Sequence, residues 1–260
     1  MRTLLLAALL VSGCASVPVA PPTVPIRTVL LGIVDGFHGP LPANIVARYC
    51  GPITIRTPQL SGAGLDAFLA SITPCPSFKV IALVEGLDIQ LTADFATRPV
   101  WGIELGNELE LAPNNLTPQQ YASFIAQADA AIRAANPSVI IITGGVYTLD
   151  ADTKARILAA LAVCPGCWVG VHLYEDLAQA DLDWLAALPT QIAVTETGYP
   201  TRCDPTRLPQ QLEWLQSRRA LFSTVPNIAL MVVYQRPVGP TCSDLDTFGV
   251  DGKPAEAILR

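Results

Sequence analysis

Two glutamates occupy positions from which carboxylate side chains could carry out acid–base and nucleophilic chemistry. Glu108 follows the apolar run that starts at Gly102, within the motif Gly-Asn-Glu, and Glu196 follows the apolar run that starts at Ile192, within Thr-Glu-Thr-Gly. Cleavage of a glycosidic bond requires two such carboxyl groups, one on each side of the bond that breaks. The chemistry therefore depends on a fold that brings the ends of these two runs together.

Apolar runs alternate with helical periodicity along most of the chain, which predicts eight strand–helix units. The predicted strands are Thr28–Val34, Ile53–Arg56, Lys79–Val84, Val100–Leu105, Val139–Thr143, Trp168–Leu173, Ile192–Glu196 and Ile228–Tyr234. The predicted helices are Ala43–Tyr49, Leu65–Ile72, Leu91–Ala96, Pro118–Ala135, Asp152–Val163, Leu182–Leu188, Pro209–Phe222 and Pro254–Leu259. Eight such units in residues 27–260 favour an α/β fold, a single (β/α)8 TIM barrel.

An open doubly wound sheet is the alternative fold, and it would need a phosphate-binding loop after its first strand. The glycine-rich candidate, Gly62-Ala63-Gly64, lies several residues beyond the second strand, where we expect a helix-entry loop. The signal for nucleotide binding is therefore weak.

The carboxyl ends of the predicted strands are polar, although the strand bodies are apolar. These ends are Asp35–His38, Arg56, Glu85, Asn107–Glu108, Gly144–Tyr147, His172–Tyr174, Glu196 and Tyr234–Arg236. Barrel enzymes carry their chemistry at this end of the strands. Eight polar ends in succession therefore predict a lined cleft.

These motifs resemble those of the retaining glycoside hydrolases of clan A, which have a (β/α)8 barrel. The resemblance is carried by Gly-Asn-Glu after the fourth strand, His-x-Tyr after the sixth and Thr-Glu-x-Gly after the seventh. Arg56 after the second strand and the tail Phe248–Pro254 belong to the same pattern. The resemblance implies a β-glycosidase that acts on an oligo- or polysaccharide by double displacement, with Glu108 as acid/base and Glu196 as nucleophile.

The neighbours of the two glutamates have expected roles in such a site. The permanent charge of Arg56 would keep Glu196 ionised, and Tyr174 or Tyr234 could donate a hydroxyl hydrogen bond to it. Asn107 would bind the sugar 2-hydroxyl. His172 would help to orient the carboxyl groups, the alternative being a core histidine that is bonded to a backbone carbonyl.

Aromatic residues beyond the strand ends are candidates to stack on sugar rings, namely Tyr147 and Tyr199. Trp101 and Trp168 lie near strand starts, so we expect them to pack at the opposite end. Phe37 and His38 could line the same cleft. Glu104 shares the strand parity of Glu108 and could point into the barrel and pair with Arg56.

Two other functions use the same residues: a carbohydrate-binding lipoprotein that has lost turnover, and a transglycosylase. Strand eight keeps the first alternative open, since many clan A enzymes carry Trp where Tyr234-Gln235 stands. The two histidines form no tight cluster with carboxylates in the sequence, so we expect no catalytic metal and no cofactor. Short strand–helix loops predict an open groove that admits a polymer.

The first residues are typical of an export signal. Arg2 precedes the apolar run Leu4–Val11, which is too short to span a bilayer, and Val11-Ser12-Gly13-Cys14 resembles a lipobox. This predicts a signal peptide at 1–13, lipidation of Cys14 and a Pro-rich tether at 14–26, the alternative being an ordinary secretory signal. We expect an exported monomer anchored by lipid to a bacterial membrane, in the outer membrane or periplasm or at the cell surface.

Six further cysteines, an even number, predict disulfides in an exported chain, although six cysteines allow fifteen pairings. The barrel resemblance favours Cys50–Cys75, Cys164–Cys167 and Cys203–Cys242. The motif Cys164-Pro-Gly-Cys167 could instead be a redox pair. It follows a helix and precedes a strand, however, whereas redox motifs open a helix, so a structural disulfide is expected.

The net charge is −6, from 22 acidic and 16 basic residues, and 15% of the residues are charged. An acidic chain without a basic stripe excludes the usual surface for nucleic acid. The expected partner is a carbohydrate substrate.

Overall fold

The computed structural model describes residues 30–35, 40–111, 115–174, 177–201, 204–235 and 253–259. The predicted signal peptide, tether and lipidation site at Cys14 lie outside these ranges and stay predictions. The same holds for Phe37, His38, Arg236, the pair Cys203–Cys242 and most of the tail Phe248–Pro254. Within the described ranges, no helix has both the length and the apolar character needed to cross a membrane.

Eight strands alternate with seven α-helices in the described residues. The strands are β1 Leu30–Asp35, β2 Thr54–Gln59, β3 Lys79–Val84, β4 Gly102–Asn107, β5 Ile140–Gly145, β6 Val169–His172, β7 Ile192–Thr197 and β8 Ile228–Gln235. The helices are α1 Ala43–Tyr49, α2 Gly62–Ile72, α3 Ile89–Ala96, α4 Pro118–Ala135, α5 Ala151–Val163, α6 Gln179–Ala186 and α7 Leu208–Thr224. Short 3-10 helices occupy Pro205–Arg207 and Pro254–Leu259.

The eight strands form one sheet in the order β5-β4-β3-β2-β1-β8-β7-β6, and every pair is parallel. The two outermost strands, β5 and β6, also meet: two isolated parallel bridges join Ile142 to Trp168 and Val146 to Val171. The predicted α/β fold of parallel strands is therefore confirmed. The described residues do not form a regular ladder between β5 and β6, so they do not show a fully hydrogen-bonded ring.

Side chains take the place of ladder bonds where β5 meets β6. The backbone N–H of Gly170 donates to the hydroxyl of Thr143 at 3.1 Å, and that of Gly145 donates to the carboxylate of Glu104 at 3.0 Å. Because both donors are buried, they require such partners in the absence of a regular ladder. We call this junction of β5 and β6 the seam.

Capping side chains set several helix starts. Thr117 and Gln120 form a capping box before Pro118, which is at the first position of α4. Ser61 caps α2 by accepting from the N–H of Gly64. Gly62–Gly64 therefore forms the first turn of that helix, and the expectation of a loop there is wrong.

Apolar side chains fill the space between the strands and helices and also the space inside the sheet. The inner cluster consists of Ile81, Ile142, Ala193, Leu230 and Val232. Trp101 and Trp168 pack against this cluster, and their two rings meet edge to face with centroids 5.6 Å apart. Both tryptophans precede their strands, in agreement with their expected place at the end opposite the polar strand ends.

Two disulfides are present in the described residues. Cys50–Cys75 links the end of α1 to the segment before β3, and Cys164–Cys167 links the end of α5 to the segment before β6. Cys164 and Cys167 are buried, which suits a structural bond better than a redox pair.

We expect Gly170→Ala to destabilise the protein by about 1–3 kcal/mol, since forcing extra volume into a packed interior costs that much. A Cβ at this position would overlap the carbonyl oxygen of Thr143 across the seam. Gly166→Ala is the matched control, because a Cβ there meets no atom within 4 Å. The free energy of unfolding in urea, measured with disulfides intact, checks this, and equal values for the two variants would contradict it.

Candidate active site

A buried arginine joins three strands at their carboxyl ends. Arg56, on β2, is 2% exposed. Its Nε donates to Glu104 Oε2, its Nη1 donates to Glu196 Oε1 at 2.5 Å, and its Nη2 donates to Asn107 Oδ1 at 2.7 Å. Burial alone lowers the Arg56 pKa, but the charges of the two glutamates more than compensate, so its pKa is raised and it stays charged.

Glu104 completes the buried base of this site. It is fully buried on β4, bonded to Arg56 through one oxygen and to the backbone of Gly145 through the other. The pairing with Arg56 that strand parity suggested is present. Glu104 therefore acts on the site through Arg56 and through the end of β5.

Glu196 lies at the end of β7 with donors on both carboxylate oxygens. Arg56 contacts Oε1, and the Tyr174 hydroxyl donates to Oε2 at 2.6 Å. Burial by itself raises the Glu196 pKa, but the charges of His172 and Arg56 and these hydrogen bonds outweigh it, so the pKa is lowered. The group is thus held as a carboxylate, the form that a nucleophile requires.

Glu108 follows β4 in an unusual backbone conformation. Its φ is +47°, and its N–H donates to the carbonyl of Gly145 at 2.8 Å. A positive φ is uncommon for a residue with a side chain and marks local strain, which surrounding contacts must maintain. The side chain, 27% exposed, is the more open of the two carboxyl groups, since that of Glu196 is 11% exposed.

His172, at the end of β6, contacts both glutamates. Its Nδ1 lies 2.9 Å from Glu108 Oε1 and 3.8 Å from Glu196 Oε2. Burial lowers the His172 pKa, but the charge of Glu196 and the hydrogen bond with Glu108 exceed that effect, so the pKa is raised. These contacts are with carboxylates, so His172 does not match the alternative of a core histidine bonded to a backbone carbonyl.

The structure corrects the argument that the chain has no carboxylate–histidine cluster. Glu108, His172 and Glu196 each offer an atom that lies within 4.8 Å of the other two. The sequence could not show this, because Glu108 and His172 are 64 residues apart. The guanidinium of Arg56, 2.5 Å from Glu196, opposes the binding of a divalent cation at this cluster.

Three tyrosine rings extend the site to one side. The Tyr174 ring centroid is 6.2 Å from that of Tyr147 and 6.4 Å from that of Tyr234. Tyr199 differs, since its hydroxyl accepts from Arg207 at 2.9 Å and its ring lies 6.0 Å from that of Trp214. The structure thus brings Tyr147, Tyr174 and Tyr234 together and places Tyr199 against the start of α7.

Two positioning residues were missed by sequence reasoning. Glu110 accepts hydrogen bonds from the backbone N–H groups of Tyr147 and Thr148, the latter at 3.3 Å. Tyr121, buried on α4, accepts from the N–H of Gly144 at 2.7 Å. Both hold the end of β5, and no motif marks either because their partners are backbone groups.

Comparison with solved structures finds a similar fold in several glycoside hydrolases. The family 39 glycoside hydrolase from Xanthomonas axonopodis pv. citri superposes with a TM-score of 0.64 at 13% identity, covering 90% of this chain and 65% of that one. A family 5 glycoside hydrolase variant from Streptomyces cattleya, in complex with Manβ1-4GlcNAc, gives 0.61 at 13% identity, covering 89% and 79%. The family 30 subfamily 8 xylanase from Clostridium acetobutylicum gives 0.58 at 15% identity, covering 80% and 64%.

These similarities define the fold, which this chain shares with clan A glycoside hydrolases. The chain spans about two thirds of the length of two of the three enzymes. No protein-family model and no curated protein sequence matches the chain. Because fold does not determine function, the activity must be argued from the site itself.

We expect Arg56→Met to lower the free energy of unfolding by about 3–5 kcal/mol, because it leaves two buried carboxylates without their counter-charge. Arg98→Met is the matched control. Arg98 also pairs with two carboxylates, Asp66 and Asp94, but these side chains are 61% and 48% exposed. Exposed pairs contribute about 0–1 kcal/mol. Equilibrium denaturation measures both, and similar losses would contradict the central role of Arg56.

Proposed function

We propose that the protein is a retaining glycoside hydrolase that cleaves β-glycosidic bonds by double displacement. The observation that carries the proposal is the separation of the two carboxyl groups, whose nearest oxygens lie within 4.8 Å. Retaining enzymes hold their carboxyl groups about 5–5.5 Å apart, whereas inverting enzymes need about 6.5–9.5 Å to admit a water molecule. Oxygens within 4.8 Å of each other are compatible with the shorter, retaining separation, and the ionised Glu196 beside Arg56 and Tyr174 favours direct attack by that carboxylate.

In the first step, the ionised Glu196 attacks the anomeric carbon while the bond to the leaving group breaks. Glu108 gives its proton to the departing oxygen. Asn107 orients the sugar: its Oδ1 accepts from Arg56, so its amide N–H group is left to donate to a sugar hydroxyl. As the covalent bond to Glu196 forms, the hydrogen bond that Tyr174 donates to Glu196 Oε2 must weaken or break.

In the second step, Glu108 removes a proton from water, the water oxygen attacks the anomeric carbon, and the bond to Glu196 breaks. His172 supports this exchange, because its raised pKa favours an imidazolium 2.9 Å from Glu108 when that carboxyl group is ionised. One histidine thus stabilises the charge that Glu108 acquires after the first step.

The proposal extends to the fold and to the aromatic residue on β8. The bridges across the seam support a sheet that closes into a (β/α)8 barrel. Tyr234 packs its ring against Tyr174, so an aromatic surface is retained where clan A enzymes often carry Trp. A transglycosylase would use the same residues and would differ in the acceptor that attacks in the second step.

Activated 2-fluoro glycosides test the proposal. We expect a panel with different sugars to yield one covalent adduct on Glu196, found by mass spectrometry of peptides, because the fluorine slows both steps whereas the good leaving group speeds only the first, so the covalent intermediate accumulates. Glu196→Ala should form none. The absence of both adduct and hydrolysis across the panel would overturn the enzyme proposal and favour a carbohydrate-binding protein.

Paired glutamate variants provide the control. Glu108→Ala should slow cleavage of poor leaving groups by about 10²–10⁴-fold, the usual contribution of general acid catalysis, and azide should restore part of the rate. Glu213→Ala, which removes an exposed glutamate on α7, should keep the wild-type rate.

The acidic limb of the pH profile should depend on Tyr174. Glu196 must be ionised to attack, and its lowered pKa keeps it ionised at lower pH than an ordinary glutamate. Tyr174→Phe removes a hydrogen bond that lowers this pKa, so the acidic limb of kcat/KM should move to higher pH. Tyr199→Phe, whose hydroxyl pairs with Arg207, should leave the limb in place. An unchanged limb in Tyr174→Phe would contradict the assignment.

A further inference from the structure

Two buried polar atoms beneath the active site have no hydrogen-bond partner in the part of the chain that the structure describes. One is Nε2 of His172, the ring nitrogen that does not face Glu108, and the other is Oγ1 of Thr195. Both side chains are buried. Buried polar atoms are nearly always hydrogen-bonded, so two unpaired ones in one place need an explanation.

The two atoms are close neighbours inside the sheet. A Cβ added to Gly145 would overlap His172 at Nε2 and would lie 2.8 Å from Thr195 Oγ1, so both atoms face the same side of this glycine. Gly145 ends β5, His172 ends β6 and Thr195 lies on β7. The absence of a side chain at Gly145 therefore gives the imidazole and the hydroxyl room to lie together.

The alternation of β7 explains why the Thr195 side chain faces this space. Ala193, two residues earlier, belongs to the inner cluster, and residues two apart on a strand share a face. The register shift between Val194 and Thr197 interrupts the alternation, so the next residue, Glu196, also reaches the site. Two adjacent residues thus approach His172: Thr195 on the side of Nε2, and Glu196 at 3.8 Å from Nδ1.

The charge of the imidazole determines what Nε2 requires. The charge of Glu196 and the hydrogen bond with Glu108 raise the His172 pKa, and a protonated imidazole carries a hydrogen on both nitrogens. The hydrogen on Nδ1 has Glu108 as its acceptor. The hydrogen on Nε2 needs a second acceptor, because a buried N–H of a charged group is more costly to leave unpaired than that of a neutral group.

The other polar groups around the ring are already bonded elsewhere. Glu104 acts on the ring through its charge, but its two oxygens accept from Arg56 and from the backbone at the seam. Arg56 itself can only donate. The Tyr174 ring meets the imidazole edge to face at 6.5 Å, and its hydroxyl is bonded to the nucleophile. The Thr195 hydroxyl, which can accept two hydrogen bonds, is therefore the acceptor in place for Nε2.

We propose that Thr195 is a positioning residue for the acid/base: its hydroxyl accepts a hydrogen bond from Nε2 of the protonated His172 and so holds the imidazolium beside Glu108. A small rotation of either side chain pairs the two neighbouring atoms. The role of this contact in catalysis rests on the proposed function of Glu108. In the second step the ionised Glu108 needs the positive charge of His172, and Thr195 stabilises the hydrogen on the far side of the ring.

The protonation of His172 can be measured directly, because the chain has only two histidines. Long-range ¹H–¹⁵N spectra report both ring nitrogens, and His38→Gln identifies the signals that belong to His172. We expect Thr195→Val to lower the His172 pKa by about one unit or more, the usual contribution of a hydrogen bond to a charged group. Thr195→Ser keeps the hydroxyl and should restore most of the wild-type value. Thr153→Val, the matched control, changes a fully buried threonine on α5 and should leave the His172 pKa unchanged.

The pH profile of turnover gives a readout that a purely structural role of Thr195 would not move. With a substrate whose leaving group is good enough to make the second step limiting, kcat depends on a charged His172 beside an ionised Glu108. Because Thr195→Val makes His172 lose its proton at lower pH, the alkaline limb of kcat should move to lower pH. Thr195→Ser should return the limb towards its wild-type position.

An unchanged His172 pKa in Thr195→Val would overturn this inference and leave the proposed function intact. If that variant does not fold, the wild-type protein decides: the Nε2 hydrogen should show a nuclear Overhauser effect to the Thr195 methyl group at low pH, and its absence would also overturn the contact. A lowered pKa with an unmoved kcat limb would overturn the role in the second step. Absence of turnover and of an adduct on Glu196 would overturn the proposed function, whereas the His172 titration would still test the contact.

Discussion

The guanidinium of Arg56 is the contact on which the rest of the site depends. It joins β2 to two residues of β4, Glu104 and Asn107, and to Glu196 on β7, all within hydrogen-bond distance. Moving an ion of this kind out of water costs several kcal/mol unless its hydrogen bonds and counter-charges are in place. Any shift of one strand end would therefore break a contact that the burial of Arg56 requires. The strand ends are held in position by this requirement.

The charges in the buried part of the site are balanced around Arg56. The positive charges of Arg56 and of a protonated His172 balance the negative charges of Glu104 and Glu196. In the proposed mechanism Glu108 carries a proton before the first chemical step, so it adds no charge to this set. Glu108, His172 and Glu196 each offer an atom within 4.8 Å of the other two, so a change of charge on one of them acts directly on the others. Glu104, which does not face the substrate in the proposed mechanism, thus contributes one of the balancing charges.

The sequence predicted the alternation of strands and helices and the position of the two glutamates at strand ends, because these signals are local. Apolar runs located Glu108 and Glu196, and strand parity suggested the pairing of Glu104 with Arg56. Contacts across the fold gave no such signal: His172 meets Glu108 across 64 residues, and Glu110 binds backbone groups after β5. One predicted strand end was also too early: β4 continues to Asn107, two residues beyond the predicted end at Leu105.

Irregular pairing occurs next to the site. The register shifts on β2 after Arg56, on β6 before His172 and on β7 before Thr197, the last two flanking the position of Glu196. Such irregularities turn side chains away from the strict alternation of a strand, and they are common near active sites. At the seam, the carboxylate of Glu104 takes the N–H of Gly145, so the same residue that balances Arg56 also replaces a ladder bond. Three of the four register shifts in the described strands therefore lie where side chains converge on the site, and the fourth, between Ile192 and Ala193, lies at the start of β7.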